Sequence, residues 1–193
     1  MRIGIFGGSF NPPHNMHLNI ALKLVNKGYV DKVIFVPTGS KYTYKDNLVL
    51  DTDRFNMIRD MIGDYPCLEV SDFELKDYVV YTCDTLDYFR EIRPEDEIYF
   101  ICGADNLDYI NLWKNGNYIL NNYKILLIKR NNYDIDELLE RYKEYNDNII
   151  VSDIEMRVLS STYIRDCLKN SVDISSDIHP KVLKYILDKG LYR

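Results

Sequence analysis

Two histidines close to a pair of glycines are the first residues in this sequence whose types and spacing could do chemistry. The segment consists of Gly7, Gly8, Ser9, Phe10, Asn11, Pro12, Pro13 and His14, and His17 follows it. Adjacent glycines let backbone N–H groups approach a phosphate closely, and imidazoles three residues apart at a helix start can donate to one anion. The segment therefore predicts a phosphate site.

Each histidine could instead be an ordinary surface or core residue whose hydrogen-bonding groups are paired with those of its neighbours. This is the expected role of His179, which precedes Pro180 and is predicted to cap a helix or lie on the surface. Two of the three histidines lie at the end of the glycine segment or three residues beyond it, which favours phosphate binding there. The segment is not a G-x-G-x-x-G fingerprint and lacks the lysine of a G-x-x-x-x-G-K-[ST] loop, so these two readings are excluded.

A second cluster of polar residues, Ser160, Ser161 and Thr162, precedes Arg165 by one helical turn. Helix capping alone could explain the hydroxyls. Hydroxyls, free N–H groups and a guanidinium at the positive end of a helix are also suited to phosphate. We favour the second interpretation for Ser161, Thr162 and Arg165.

Gly103 and Asp105 follow the apolar run Ile98–Cys102, which is predicted to be a buried strand. At the carboxyl end of such a strand, an aspartate can accept hydrogen bonds from ribose hydroxyls. Asp105 could instead cap the next short helix.

The elements that must position these residues are short apolar strands separated by amphipathic helices. The strands are predicted at residues 2–6, 32–36, 67–70, 97–102 and 124–128, with a sixth candidate at 149–151. Helices are predicted at about 161–168 and 180–188, whereas the asparagine-rich stretch 115–122 is predicted to be a loop. Alternating strands and helices predict an α/β fold: a doubly wound, Rossmann-like parallel sheet with helices on both faces and C-terminal helices. We expect one domain over residues 1–193, with 160–193 a helical part.

Composition excludes several classes of protein. The formal net charge is −6, from 24 Lys and Arg against 30 Asp and Glu, which argues against a broad nucleic-acid surface. No apolar run is long enough to span a membrane. Four scattered cysteines do not form a metal or disulfide pattern. With no export signal at the N-terminus, we expect a cytoplasmic protein.

The glycine segment resembles the signature of the nucleotidyltransferase superfamily with an H-x-G-H motif, and most closely that of bacterial nicotinate-nucleotide adenylyltransferases. The resemblance extends over nearly the whole chain. It is carried also by Gly103–Leu107, Trp113, Ser160–Arg165 and Tyr185–Tyr192. It implies adenylyl transfer from ATP to nicotinate mononucleotide, giving nicotinate adenine dinucleotide and pyrophosphate in NAD biosynthesis, with Mg²⁺ held mainly by phosphates and water rather than by protein ligands.

The resemblance also implies roles for individual residues. His14, His17 and Arg165 would be catalytic. ATP would be bound by Gly7, Gly8, Ser9, Phe10, Gly103, Asp105, Ser161, Thr162 and Arg165, with residues 160–193 contributing to that site. Substrate would be bound by Asn11, Tyr81, Thr82, Trp113, Lys41 and Arg130. Trp113 would stack on the pyridine ring, and the main-chain N–H groups of Tyr81 and Thr82 would bind the nicotinate carboxylate.

Two features depart from the family pattern. Met16 occupies the position of the motif's glycine, and a Pro-Pro-His-Lys run is replaced by the segment 40–45, which keeps Lys41 and Lys45. Two other functions stay open: a sister nucleotidyltransferase that uses nicotinamide mononucleotide or phosphopantetheine, and a non-catalytic nucleotide sensor. A homo-oligomer is possible.

Overall fold

The structure is a computed structural model that describes residues 1–41, 48–130, 133–156 and 159–193. The strands in it are β1 (Arg2–Gly8), β2 (Lys32–Pro37), β3 (Leu68–Val70), β4 (Glu97–Gly103), β5 (Lys124–Arg130) and β6 (Ile149–Met156). The α-helices in it are α1 (Asn15–Asn26), α2 (Asp51–Ile62), α3 (Thr82–Ile92), α4 (Ala104–Asp108), α5 (Gly116–Asn122), α6 (Ile135–Arg141), α7 (Ser161–Lys169) and α8 (Pro180–Lys189). All the predicted strands, including the sixth candidate, and both C-terminal helices are present.

The strands form one parallel sheet in the order β3-β2-β1-β4-β5-β6. From β1, the strands β2 and β3 extend the sheet in one direction, and β4, β5 and β6 extend it in the other. In such a sheet, ligands bind beyond the carboxyl ends of the strands at the point where the strand order reverses. The ends of β1 and β4, at Gly8 and Gly103, are therefore the expected place for a site.

Helices cover both faces of the sheet, which confirms the predicted doubly wound α/β architecture. Buried residues of α1, α2, α7 and α8 pack against one face, and those of α3, α4, α5 and α6 pack against the other. The central strands are buried on both sides, which explains why their sequences read as continuous apolar runs instead of alternating ones.

The loop prediction for residues 115–122 was wrong, because Gly116–Asn122 forms α5. Asn115 precedes the helix with a φ of 57°, a left-handed conformation that asparagine tolerates better than most residues. A Cβ at Gly116 would lie 1.8 Å from the carbonyl oxygen of Ile110, so glycine permits a close approach here. Ile119 and Leu120 are fully buried. Tertiary packing thus stabilises a helix that its asparagines do not predict.

The C-terminal helix α8 packs beside α2. The Tyr185 hydroxyl donates to Asp53 Oδ1 at 2.8 Å, and Asn56 Nδ2 donates to the same hydroxyl at 3.3 Å. His179 caps α8, as predicted, by accepting from the main-chain N–H of Lys181 at 3.3 Å. None of the helices in the described ranges has the length and apolar character that crossing a membrane requires.

Candidate active site

A cleft of about 530 Å³ opens where β1 and β4 end side by side. Three of the predicted site motifs meet on its walls: Gly7 and Gly8, the pair Tyr81 and Thr82, and Trp113. The remaining lining residues are Ile5, Thr38, Glu74, Thr85, Phe100, Ile101, Asn106, Leu112 and Lys114. The strand order thus joins motifs that are more than 100 residues apart in the sequence.

The loop after β1 is held in a strained main-chain conformation. Phe10 has a φ of 44°, and its ring is buried against Phe6 and Phe35. A bulky residue with positive φ costs of order 1–3 kcal/mol and persists only where its surroundings enforce it. Because the ring points into the core, any contact of Phe10 with a ligand must come from its main chain.

His14 and His17 form a stacked pair at the start of α1. Their ring centroids are 3.7 Å apart with an angle of 21° between the planes. The main-chain N–H of His14 donates to His17 Nδ1 at 3.2 Å, so the neutral ring of His17 carries its proton on Nε2. His17 therefore has an N–H donor to offer. Met16, the residue before it in the motif, packs against the core.

Burial keeps both imidazoles uncharged at neutral pH. It lowers the pKa of His14, which is 2% exposed, to about 4. Burial also lowers the pKa of His17 well below its ordinary value, and the neighbouring His14 and Arg130 further disfavour protonation of its ring. In the absence of ligand the pair presents dipolar N–H groups instead of two positive charges.

The buried His14 makes folding stability depend on pH. Its folded pKa lies below the ordinary 6.5, so the stability from the neutral ring is present above pH 6.5 and is lost as pH falls towards 4. We expect this residue to contribute roughly 2 kcal/mol of the decrease in unfolding free energy between pH 7 and pH 5. Urea unfolding at both pH values should show a smaller decrease in His14→Gln than in the wild type. Equal decreases would contradict the buried neutral state.

The N-terminus of α7 is joined directly to the loop. Ser161 Oγ donates to the Pro12 carbonyl at 2.9 Å, and Arg165 Nη1 donates to the Asn11 carbonyl at 2.8 Å. Arg165 Nη2 donates to Thr162 Oγ1 at 3.1 Å. Ser160 provides the helix cap by accepting from the N–H of Tyr163. Capping therefore involves Ser160, while Ser161, Thr162 and Arg165 lie beside the loop.

Asp105 and Arg130 face each other at the ends of β4 and β5. Arg130 Nε lies 3.0 Å from Asp105 Oδ1, and both side chains are partly exposed. A Cβ on Gly103 would lie 2.5 Å from the same carboxylate oxygen, so the glycine leaves room for the pair. Asp105, which was predicted to bind ATP, thus forms an ion pair with Arg130, which was predicted to bind the second substrate.

The far wall of the cleft carries an aromatic ring and a helix start. Trp113 is edge-on to Phe100 at 6.1 Å between ring centroids. The main-chain N–H of Tyr81 donates to Asp84 Oδ2 at 3.1 Å. Of the predicted pair, Thr82, the first residue of α3, therefore provides the N–H group that has no intrahelical partner. Lys114 Nζ lies 4.3 Å from the Tyr81 ring centroid and 3.5 Å from Asp84 Oδ2.

The remaining sequence predictions fall at the margin of this arrangement. Asn11 is buried, and its Oδ1 accepts from Tyr192 at 2.7 Å and from the N–H of Val49 at 3.3 Å. Lys41 is exposed and does not line the cleft, and Lys45 is outside the described residues.

Sequence reasoning missed several residues beside the loop and in the cleft. Glu74 is buried and accepts from Thr85 Oγ1 at 2.7 Å on the cleft wall. Arg54 lies beneath the loop, fully buried. Each is a polar residue whose burial depends on distant segments, so no local pattern distinguishes it. Elsewhere in the described chain, no three His, Cys, Asp or Glu side chains are grouped to hold a metal ion.

Comparison with known proteins gives consistent matches. The cytidylyltransferase-like family matches residues 5–167. A protein of Clostridium novyi assigned as a nicotinate-nucleotide adenylyltransferase is 37% identical over 98% of both chains. One of Caldicellulosiruptor saccharolyticus with the same assignment is 37% identical over 100% of both.

Solved structures share the fold. Nicotinic acid mononucleotide adenylyltransferase of Plasmodium falciparum, complexed with NaAD, superposes with a TM-score of 0.83 at 24% identity, over 99% of this chain and 97% of that chain. A structure from Vibrio parahaemolyticus assigned as a nicotinate-nucleotide adenylyltransferase has a TM-score of 0.74 at 26% identity, over 100% and 96% of the chains.

Proposed function

Because this chain belongs to the cytidylyltransferase-like family, and within it to the nicotinate-nucleotide adenylyltransferases, we propose that it transfers the adenylyl group of ATP to nicotinate mononucleotide. An oxygen of the 5′-phosphate attacks the α-phosphorus of ATP, and the bond from that phosphorus to the oxygen bridging to the β-phosphorus breaks. The products are nicotinate adenine dinucleotide and pyrophosphate. The observation that carries the proposal is the cleft that is lined by Gly7 and Gly8 on one side and by Trp113 on the other.

Alignment and charge stabilisation account for the catalysis, and no protein nucleophile is needed. His17 donates its Nε2–H to a phosphate oxygen, and His14 holds the stacked ring of His17 in place. Arg165 reaches the same region from α7 and neutralises charge that develops on the phosphates. Because both imidazoles are uncharged before ATP binds, they stabilise the transition state as oriented dipoles in a partly buried site.

A magnesium ion is the cofactor we propose. Imidazoles and a guanidinium border the loop, and this donor set leaves phosphate oxygens and water as the ligands that a hard cation prefers. When bound with ATP, the ion would neutralise phosphate charge and favour departure of pyrophosphate. We expect excess EDTA to abolish pyrophosphate release and added Mg²⁺ to restore it, with Mg²⁺-saturated EDTA as the control. Full activity in excess free EDTA would contradict the requirement.

The pyridine ring of the second substrate stacks on Trp113, and its carboxylate binds at the start of α3. Free N–H groups at a helix N-terminus favour an anion over an amide, which gives a physical basis for acid preference. The ammonium of Lys114 adds positive charge on the same wall.

Trp113→Ala should raise the KM for nicotinate mononucleotide roughly 10- to 100-fold, because stacking on an aromatic side chain contributes about 1–3 kcal/mol per base. The KM for ATP should stay within about twofold of the wild-type value, since ATP is bound mainly by the loop and α7. Trp113→Phe retains a ring and serves as the matched control, with an intermediate KM. A rise in the KM for ATP instead would place Trp113 in the other subsite.

A pyrophosphate-release assay tests the reaction itself. ATP and CTP are supplied in turn with nicotinate mononucleotide, nicotinamide mononucleotide or phosphopantetheine. The proposal expects release to be fastest with ATP and the nicotinate substrate. Preference for phosphopantetheine or for nicotinamide mononucleotide would indicate a sister enzyme, and no release from any pair would indicate a nucleotide sensor.

Two broader proposals accompany the reaction. The protein works in the cytoplasm, which is supported by four cysteines that are all free, as is usual in a reducing compartment. Residues 1–193 act as one nucleotidyltransferase domain, with 160–193 completing the ATP site. The hydrogen bonds from Ser161 and Arg165 to the loop support this arrangement.

A further inference from the structure

Arg54 on α2 is a buried charge for which the reaction above has no use. The residue is 0% exposed. Its Nη1 donates to the Ser9 carbonyl at 2.8 Å, and its Nη2 donates to Asp51 Oδ1 at 2.6 Å. Asp51 is partly exposed, with 22% of its side-chain surface accessible. Burying a guanidinium is costly, so its position in contact with the loop calls for a physical explanation.

Stability is a poor explanation for this arginine. Its Nε is buried and has no hydrogen-bond partner among the described residues, and an unsatisfied buried donor costs free energy. A buried ion pair is often no more stabilising than apolar side chains of similar volume. The guanidinium is therefore better explained by the geometry it imposes on its partners.

The Ser9 carbonyl belongs to the same planar peptide group as the N–H of Phe10. In a trans peptide the two groups point in opposite directions, and the cis bond in this loop is the later one between Asn11 and Pro12. Holding the Ser9 carbonyl on Arg54 therefore points the Phe10 N–H away from the core side of the loop. The other anchored carbonyls, of Asn11 and Pro12, precede prolines and fix no N–H.

Arg54 also connects the loop to the segment after β2. Asp51 Oδ2 accepts from the main-chain N–H and from the hydroxyl of Ser40, each at 3.2 Å. Ser40 immediately precedes Lys41. One chain of hydrogen bonds thus runs from Ser40 through Asp51 and Arg54 to Ser9.

We propose that Arg54 is a positioning residue for ATP: it orients the Ser9–Phe10 peptide so that the Phe10 N–H donates to a phosphate oxygen. The inference rests on the proposed adenylyl transfer. Arg54 would be the second guanidinium that serves the ATP phosphates: it acts through the main chain, while Arg165 contacts the phosphates directly. Since the oriented N–H serves ATP alone, binding of the pyridine nucleotide should not depend on it.

The test compares Arg54→Met and Arg54→Lys with Arg59→Met, a control on the exposed face of the same helix. Pyrophosphate release gives kcat and KM for each substrate. Fluorescence of Trp113, the one tryptophan in the sequence, reports binding of nicotinate mononucleotide without turnover. We expect Arg54→Met to lower kcat/KM for ATP about 10- to 100-fold, as for loss of a hydrogen bond to a charged group. The Kd for nicotinate mononucleotide should change less than about twofold, and Arg54→Lys should recover part of the loss.

Unchanged kcat/KM for ATP in folded Arg54→Met would overturn the proposal, as would an equal loss of affinity for both substrates. If Arg54→Met does not fold, Asp51→Asn decides, because it frees the guanidinium from its ion pair and from the link to Ser40. A decrease in kcat/KM for ATP without a change in the Kd for nicotinate mononucleotide then supports the proposal, and wild-type kinetics overturn it. An inactive wild type would overturn the proposed function itself, an outcome distinct from an active wild type with an unaffected Arg54→Met.

Discussion

His17→Ala should lower kcat roughly 100- to 1,000-fold, the usual effect of removing one donor aimed at developing charge. The main-chain contact from His14 to Nδ1 leaves the ring proton of His17 on Nε2, and alanine removes both the ring and its donor. We expect the melting temperature to change by less than about 4 °C, the shift that 1 kcal/mol produces in a protein of this size. Steady-state kinetics and thermal unfolding of one preparation measure both quantities.

His179→Ala is the matched control, since it removes the remaining histidine, which caps α8 far along the chain from the loop. It should keep wild-type kcat and lose a little stability through the lost cap. If His17→Ala retained wild-type kcat with ATP and nicotinate mononucleotide, the role assigned to His17 would be wrong.

Arg165→Met should lower kcat/KM for ATP by a similar factor, roughly 100- to 1,000-fold. The substitution keeps an unbranched apolar chain but removes the guanidinium that spans Thr162 and the Asn11 carbonyl. A lysine at this position should recover only part of the loss, because an ammonium cannot contact two oxygens with the geometry of a planar fork. Initial rates at varied ATP and saturating nicotinate mononucleotide give the required constants.

Lys169→Met provides the control for this experiment, because Lys169 is an exposed cation at the opposite end of α7. Its kinetics should match the wild type, which would show that net charge on the helix is not the cause. A selective rise in the KM for nicotinate mononucleotide in Arg165→Met would assign Arg165 to the other substrate.

The fold was predictable because its signals are local. Runs such as Ile125–Ile128 are apolar throughout, as strands buried on both faces must be, and the loop after β1 follows the first of them. The edges of the elements were less predictable. Gly116–Asn122 reads as a loop, and burial of Ile119 and Leu120 stabilises it as a helix.

The candidate site was predictable where a motif carries its own chemistry and not where tertiary contacts create it. His14 and His17 are recognisable from spacing, but their stacking and their depressed pKa values depend on burial beneath neighbouring segments. Arg54 with Asp51 reads in sequence as an ordinary i,i+3 surface pair. Its position under Ser9 depends on how α2 packs against β2, β3 and α8, which no local pattern encodes.

The switch in strand order brings the loop after β1 beside the segment after β4 that carries Trp113. In the proposed reaction each substrate would occupy one subsite, whereas the dinucleotide product joins both nucleotides covalently and would contact both subsites. If one nucleotide of the product dissociates, the covalent link keeps it at a high effective concentration near its subsite, so it rebinds readily. Pyrophosphate has no such tether, so the same geometry that aligns the substrates favours an ordered departure in which the dinucleotide leaves last.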